Sequence, residues 1–246
     1  MMLRAAMERQ GAWLFRWRSY PPVAALALLL LRVGHYHYLG GSKFDDDVWQ
    51  FCCALLAALG LLVRALVVGH VPKDTSGRNA REQRAEALNT TGLYSLVRHP
   101  LYIGNFLIFV GTVAFLHDPW PSAVCILGFW LYHERIMLAE EAFLAERFGS
   151  AYEIWAARTP ALIPTLRHWS KPSLPFSIRN VLRREYNNVF SVALAMFVLD
   201  VASESTVQGR LSVGPIWTIA VLVGLAAWLI LRTLKRRTSI LRVQGR

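Results

Sequence analysis

SLVRHPLYIGNFLIFVGTVAFLHDPWPSAVCILGFWLYHERIML, residues 95–138, contains two apolar runs with almost no loop between them. The first run covers residues 101–117 and the second covers residues 119–138. Each is close in length to the roughly 20 residues that a helix needs to cross the hydrocarbon core of a bilayer. Because only the residues HDP link the two runs, we predict a tight hairpin of two membrane helices.

The composition of the whole chain also indicates a membrane protein. Of its 246 residues, 54% are hydrophobic and 17% are charged, against about 25% charged residues in a soluble domain. The mean hydropathy is +0.34. We therefore predict an all-α, polytopic helical membrane protein with about six transmembrane helices. The four apolar runs outside the hairpin are residues 21–38, 48–69, 188–203 and 212–231.

The net charge of +11 would suit a nucleic-acid partner, but its distribution indicates membrane topology instead. Residues 39–47 hold three aspartates against one lysine, whereas both termini, residues 70–100 and residues 133–187 are basic. Lys and Arg collect in the cytoplasmic loops of membrane proteins. We expect a multi-pass protein with cytoplasmic termini, a cytoplasmic active site and no nucleic-acid partner. Arg64, inside an apolar run, is close enough to the end of that run to snorkel to water.

The sequence after the hairpin predicts that the fourth helix continues out of the membrane. Residues 133–157 contain helix formers with apolar residues at helical spacing, and Gly149 is the predicted C-cap. Residues 158–175 contain four prolines and are predicted to lie extended along the membrane surface. Three parts are predicted: 1–87 with two membrane helices, 88–168 with the hairpin and its extension, and 169–246 with two further membrane helices and a basic tail.

The stretch RHPLYIGN has the chemistry of an anion pocket. Pro100 is favoured at the first position of a helix, with His99 as its cap. The free N–H groups and dipole of a helix start favour an anion, and Arg98 adds a positive charge. Tyr102 can donate to a carboxylate, and Gly104 permits close approach of a ligand or a helix. The alternative interpretation is an interfacial anchor in which the arginine snorkels and the tyrosine joins the aromatic belt.

A second polar group follows on the predicted extension. Glu140 and Glu141 point about 100° apart on a helix, so they need not serve the same partner, while His133 shares a face with Glu140. The alternative is a solvated helix with surface ion pairs between glutamate and arginine. Arg158, which follows Tyr152 and precedes the proline-rich segment, could clamp an anion or meet lipid headgroups.

Together these stretches resemble a known family. GLYSLVRHPLYIGNFLIFVG (92–111) and EEAFLAERFGSAYEIWAARTPALIP (140–164) resemble the isoprenylcysteine carboxyl methyltransferases and phospholipid methyltransferases in order and spacing. Those proteins are integral membrane enzymes that use S-adenosylmethionine. The resemblance covers roughly residues 88–166, about a third of the chain. It implies an S-adenosylmethionine-dependent methyltransferase with a lipid or lipidated acceptor in the membrane, and makes residues 88–168 the methyltransferase core.

The resemblance also implies roles for residues at the matching positions. The sequence departs from the family pattern after the second stretch, where residues 169–246 add two apolar runs that could reshape the lipid entrance. The implied cofactor-binding residues are His99, Pro100, Leu101, Tyr102, Gly104, Glu140 and Glu141. The implied catalytic residues are Arg98, Glu141 and Arg158, and the implied substrate-binding residues are Asn105, Tyr152 and Arg158.

The acceptor is the least determined part of the prediction. An anionic acceptor is already a nucleophile, whereas an amine must first lose a proton and favours acidic surroundings. The basic cytoplasmic face therefore favours O-methylation of a prenylcysteine carboxylate or a lipid phosphate. N-methylation of an amine such as phosphatidylethanolamine is the first alternative, and a non-catalytic scaffold or transporter is the second. No metal is expected, since the sequence contains neither HExxH nor CxxC.

Overall fold

Helices form the regular structure of the computed structural model, which describes residues 2–72 and 85–245. No β-strand occurs within those two ranges, so the all-α prediction is confirmed. The basic residues predicted at 73–84 lie outside the described ranges. In chain order the helices are α1 (Met2–Arg16), α2 (Pro21–Arg32), α3 (Lys43–His70), α4 (Pro100–Val113), α5 (Pro119–Phe148), α6 (Ser150–Arg158), α7 (Ile178–Gln208) and α8 (Pro215–Arg237).

The apolar helices make the chain an integral membrane protein. Helices α3, α7 and α8 are long and apolar enough to cross a bilayer. Two shorter apolar stretches, Pro21–His35 and Pro100–Leu116, and the first half of α5 account for the other predicted runs. All six predicted runs are thus helical, while the number that span the membrane stays a prediction.

The hairpin and its extension follow from local sequence signals. Helix α4 begins at Pro100 with His99 at the cap position, as predicted, although the His99 side chain makes no capping bond. Between α4 and α5 lie one 3-10 turn, His117 and Asp118, whose carboxylate accepts the N–H of Trp120 at 3.3 Å. Helix α5 then runs for 30 residues until Gly149, at φ 51°, ends it. The tight connection, the helical extension and the C-cap are confirmed.

Glycines allow α3 and α4 to pack with their backbones close together. A Cβ atom on Gly60 would lie 2.5 Å from the carbonyl oxygen of Gly104, and one on Gly111 would lie 2.5 Å from that of Cys53. Small residues commonly mediate such close packing between membrane helices. Gly104 also faces the stem of Arg64, because a Cβ atom there would lie 2.6 Å from the Arg64 Cγ. Of the two roles predicted for Gly104, close approach of a ligand or of a helix, the helix contact is the one observed.

Helix α1 is an element that the sequence did not predict. It packs along α5, with Gly11 against the backbone of Arg135, where a Cβ atom would lie 1.9 Å from the carbonyl oxygen. The hydroxyl of Tyr132 donates to the carbonyl oxygen of Leu14. This packing brings Phe15, and Arg18 just beyond the helix, to the cavity described below.

Helix α7 begins ten residues before the predicted start at residue 188. Its N-terminus is attached to the end of α3, because the Ser177 N–H donates to the Gly69 carbonyl oxygen at 2.9 Å. The Asn180 amide donates to the Val68 carbonyl oxygen at 2.7 Å. We call this end of the bundle, where α3 ends and α4 and α7 begin, the basic end. The opposite end, where α3 begins and α7 ends, is the acidic end, and Lys43 there pairs with Glu204.

Candidate active site

The two halves of the family-like sequence lie side by side at the basic end. The Arg98 N–H donates to the Pro160 carbonyl oxygen at 2.8 Å, and the Thr165 N–H donates to the Leu96 carbonyl oxygen at 3.0 Å. These bonds hold the predicted extended segment, which contains only a short 3-10 turn, against the entry to α4. Main-chain bonds to this one segment therefore fix the residues that precede Pro100.

A buried ion-pair network joins α4 to α5. The Nε2 atom of His99 lies 2.9 Å from the Glu141 Oε1 atom, and an Arg98 Nη1 atom lies 3.3 Å from the same oxygen. Burial acts to raise the pKa of the Glu141 carboxyl, but the His99 hydrogen bond and the charges of His99 and Arg98 outweigh it. The pKa of Glu141 therefore lies below its ordinary value, and the carboxylate is held ionised.

Glu140 approaches the other ring nitrogen of His99, so the two glutamates share this neighbour although they point in different directions on α5. Its Oε2 atom is buried, lies 3.9 Å from the His99 Nδ1 atom, and has no hydrogen-bond partner among the described residues. The ring of Tyr102 lies beside it, 5.6 Å from the His99 ring and 5.5 Å from the His133 ring. His133 and Glu140 both line the cavity, so the predicted shared face is confirmed.

A cavity of about 640 Å³ connects this polar group to the apolar interior. Along α4 its lining runs from Leu101 to Val113, a rise of about 18 Å. That depth is similar to the hydrocarbon of one leaflet, which is about half of the 30 Å core. The polar end is lined by Arg18, Arg98, His99, Tyr102 and Glu140, and the apolar end by Leu26, Leu29, Phe109, Val113, Val192 and Ala195.

The opposite wall of the cavity carries a second ion pair. The Arg64 Nε atom donates to Glu185 Oε2 at 2.8 Å, and Nη2 donates to Glu185 Oε1 at 3.0 Å. Arg64 also donates to the side-chain oxygen of Asn105, and the Asn188 amide donates to Glu185 Oε2 at 2.7 Å. The Arg64 and Glu185 side chains are only 14% and 6% exposed. The expectation that Arg64 snorkels to water is therefore wrong, because Glu185 on α7 neutralises it inside the bundle.

The structure brings most of the predicted site residues to the cavity. Six of them line it, and Glu141 lies behind His99 and Arg98, which it contacts. Their roles in binding or catalysis stay predictions. The six lining residues are Arg98, His99, Leu101, Tyr102, Asn105 and Glu140.

Four predicted site residues lie outside the cavity lining. Pro100 and Gly104 are buried in helix packing. Tyr152 is also buried, and burial together with the nearby charge of Glu141 raises the pKa of its hydroxyl to about 12. Arg158 is exposed, and its Nε atom donates to the Ile154 carbonyl oxygen at 3.3 Å. The roles given to these four also stay predictions.

The sequence analysis did not predict that Arg18, just after α1, and Glu185 and Asn188, on α7, would line the cavity. A signal for those on α7 was present, because Arg184, Asn188, Ser191 and Ala195 recur at helical spacing on one face. The predicted helix began at residue 188, which separated Arg184 and Glu185 from that face. Among residues 2–72 and 85–245, no group of three or more His, Cys, Asp or Glu side chains is arranged to hold a metal ion.

The fold and the cavity define a class: a helical membrane protein whose polar chamber opens into an apolar channel about one leaflet deep. A family model described as phospholipid methyltransferase matches residues 49–151. The chain is 31% identical to protein-S-isoprenylcysteine O-methyltransferase B of Arabidopsis thaliana, over 57% of this chain and 73% of that protein. The chain belongs to the isoprenylcysteine carboxyl methyltransferase and phospholipid methyltransferase family.

Two bacterial proteins are also similar over 153 residues, which is 61% of this chain. The nickel-cobalt-cadmium resistance protein NccN of Alcaligenes xylosoxydans xylosoxydans is 33% identical over 63% of its length. The cobalt-zinc-cadmium resistance protein CzcN of Cupriavidus metallidurans is 35% identical over 62% of its length. The matches thus span about three-fifths of these two relatives. No solved structure matches the chain.

Proposed function

We propose that the protein is an S-adenosylmethionine-dependent methyltransferase that methylates a lipid-linked acceptor at the cytoplasmic face of the membrane. The observation that carries this proposal is the cavity, which joins a buried, charged end to an apolar end. A polar methyl donor and a lipid acceptor have opposite solubilities, and the cavity offers each a matching surface. Relatives named protein-S-isoprenylcysteine O-methyltransferase support the same activity.

The charged end suits the donor's functional groups. The Arg98 Nε and Glu140 Oε2 atoms are both buried without a hydrogen-bond partner among the described residues, and both side chains line the cavity. A buried polar atom without a hydrogen bond is costly, so a ligand with both an anionic and a cationic group fits these two atoms. S-adenosylmethionine has a carboxylate for Arg98, and an ammonium group or ribose hydroxyls for Glu140. When bound, it supplies an electrophilic methyl group on a sulfonium.

The residues of the chain would contribute mainly by aligning the reactants and excluding water, and less by transferring protons. His99 is held by Glu141, and Tyr102 packs between His99 and His133, so the donor end is rigid before a ligand enters. Aligned binding and exclusion of water lower the barrier to an in-line displacement. A carboxylate or phosphate acceptor attacks without losing a proton, and we therefore propose O-methylation of an anionic group.

Glu140→Gln tests the donor site. The substitution keeps the size of the side chain but removes the charge at the unpartnered oxygen. We expect the dissociation constant for S-adenosylmethionine to rise about tenfold or more, measured by titration calorimetry on the purified full-length protein. Glu153→Gln, an exposed glutamate on α6, is the matched control and should leave the constant within about twofold of wild type. Absence of donor binding by the wild-type protein would eliminate the proposed activity.

Radiolabelled methyl transfer identifies the acceptor chemistry. The wild-type protein in membranes is supplied with methyl-labelled donor, and labelled lipids are separated and identified by mass spectrometry. A carboxyl methyl ester releases labelled methanol after mild base treatment, whereas an N-methyl group keeps its label. We expect an O-methylated anionic lipid. Label that stays on an ethanolamine headgroup would instead establish N-methylation.

A further inference from the structure

A buried histidine lies where the charged end of the cavity meets its apolar end. His133, on α5, lines the cavity and is only 8% exposed. Glu140 lies two helical turns further along α5, at the charged end, and Phe129 lies one turn back, toward the apolar end. A ligand that extends from the charged end toward the apolar end must therefore pass the His133 ring.

The hydrogen bonds of the chain determine which ring nitrogen of His133 is left for a ligand. Its Nδ1 atom lies 3.0 Å from the Phe129 carbonyl oxygen. Because a carbonyl oxygen only accepts, Nδ1 carries the hydrogen and Nε2 carries the lone pair of the neutral ring. Within the described residues, Nε2 has no hydrogen-bond partner and the ring forms no ion pair with a carboxylate. Nε2 is therefore a buried hydrogen-bond acceptor to which the described chain donates nothing.

Aromatic neighbours hold the His133 ring in this orientation. The Phe129 ring stacks on it, with the two ring centroids 3.8 Å apart and an angle of 19° between the ring planes. The Tyr102 ring meets it edge to face at a centroid distance of 5.5 Å. Aromatic pairs of both kinds are favourable, so they keep the ring in place before a ligand enters. A ligand that donates to Nε2 then binds a preorganised atom, which lowers the entropy lost on binding.

The lone pair of Nε2 selects the chemical class of the group that it binds. It repels an anion, so the carboxylate or phosphate of the acceptor does not suit it, whereas an O–H or N–H group can donate to it. S-adenosylmethionine has uncharged hydrogen-bond donors only in its nucleoside, which carries two ribose hydroxyls and the adenine amino group. With the donor's ammonium group at Glu140, the nucleoside is the part of the molecule that can extend to His133.

We propose that His133 is a further donor-binding residue, whose Nε2 atom accepts a hydrogen bond from the nucleoside of S-adenosylmethionine. The inference rests on the proposed function and deepens it, because it gives α5 a contact with each part of the donor: Glu140 with the amino-acid part and His133 with the nucleoside. A helix rise of about 10 Å separates the two residues. Two contacts on one helix would restrict rotation of the donor, as an in-line transfer of the methyl group requires.

Three ligands that differ in these hydrogen-bond donors test the contact. They are S-adenosylhomocysteine, its 2′,3′-dideoxy analogue and its analogue without the adenine amino group, each titrated by calorimetry into the purified full-length protein. We expect the wild type to bind at least one analogue about tenfold more weakly than S-adenosylhomocysteine, because Nε2 is then buried without a hydrogen bond. We call the ratio of the two dissociation constants the analogue ratio.

The variant His133→Phe keeps an aromatic ring against Phe129 and removes both ring nitrogens. It should reduce one analogue ratio to about twofold or less, and that analogue identifies the donating group as a ribose hydroxyl or the adenine amine. His133→Gln, whose amide oxygen can accept, should recover part of the ratio. The matched control is His70→Phe, because His70 also has its Nδ1 atom beside a carbonyl oxygen, that of Leu174 at 2.9 Å, but does not line the cavity. The control should keep the wild-type ratios.

Three results would overturn the contact: equal binding of all three ligands by the wild type, unchanged analogue ratios in His133→Phe, and an equal change in His70→Phe. A purely structural role of His133 would weaken the three ligands alike and leave the ratios unchanged. Thermal unfolding in detergent shows that each variant is folded, and His133→Gln replaces His133→Phe in the comparison if the latter does not fold. In all three cases the wild type still binds S-adenosylmethionine, so the proposed function stands. Absence of donor binding by the wild type would instead reject the proposed function itself.

Discussion

The basic and acidic ends of the bundle both bury charged side chains, but they use them differently. At the acidic end the Asp46 carboxylate is 0% exposed, accepts the Tyr36 hydroxyl at 2.5 Å and the Gln50 amide at 2.9 Å, and lies 3.2 Å from His117 Nε2. The Trp217 indole donates to Gln50 at 2.9 Å. None of these residues lines the cavity that opens at the basic end.

The difference separates a buried carboxylate with several hydrogen bonds from buried atoms that lack a hydrogen bond and lie beside a cavity. Asp46 is satisfied by partners from several segments, so its burial stabilises one arrangement of the helices. At the basic end, Arg98 Nε and Glu140 Oε2 are buried beside an open cavity and have no hydrogen-bond partner among the described residues. Burial of charge therefore indicates a binding site only where the hydrogen bonds are incomplete and space is left for a ligand.

Replacement of Asp46 should produce the largest loss of stability. It should also show most clearly that the acidic end affects stability and not donor binding. Asp46→Ala leaves the Tyr36 hydroxyl and the Gln50 amide buried without their acceptor, so we expect a loss of about 3 kcal/mol in the free energy of unfolding. Thermal unfolding in detergent measures the loss. Asp45→Ala, at the exposed neighbouring position, should cost less than about 1 kcal/mol. If the folded Asp46→Ala protein bound S-adenosylmethionine with a changed affinity, the acidic end would not be independent of the basic end.

A smaller effect is expected at the contact between α3 and α4, which supports the basic end. Gly104→Ala places a Cβ atom 2.6 Å from the Arg64 Cγ and 2.9 Å from the Gly60 carbonyl oxygen. We expect a loss of about 2 kcal/mol in the free energy of unfolding, because Arg64 and the facing backbone must shift. Gly128→Ala is the control, since a Cβ atom there meets nothing within 4 Å, and it should be neutral or stabilising. Equal losses in the two variants would show that the close contact is unimportant.

The smallest expected effect is on the pH dependence of stability, through the Glu141 ion pair at the basic end. Since the folded protein lowers the pKa of Glu141, its ion pair contributes stability above the pKa of the unfolded chain and loses it as pH falls through the folded pKa. Glu141→Gln removes this contribution, which we expect to be about 1 kcal/mol. The difference in melting temperature between wild type and variant should be constant above about pH 5 and shrink below about pH 4. A difference that grows as pH falls would reverse the assigned direction of the shift.

Much of the fold could be predicted because it depends on local patterns. The six apolar runs, the start of α4 at Pro100 and the end of α5 at Gly149 each have a signal within a few residues. Helix α1 has no such signal, since it lacks a long apolar run and is stabilised by its contact with α5. The early start of α7 was missed for a similar reason: its first turns are polar and are held by Val68 and Gly69.

The sequence by itself determined that this chain forms apolar helices with a tight hairpin, and that an arginine, a histidine and two glutamates stand at the ends of its arms. These features depend on hydropathy, proline and glycine, which act over one or two turns of helix. Only the tertiary structure decided that Arg64 pairs with Glu185, 121 positions away, that Glu140 faces the cavity while Glu141 holds His99, and that Arg158 faces outward. Such pairings depend on which helix faces meet, and helix packing rather than local sequence determines that.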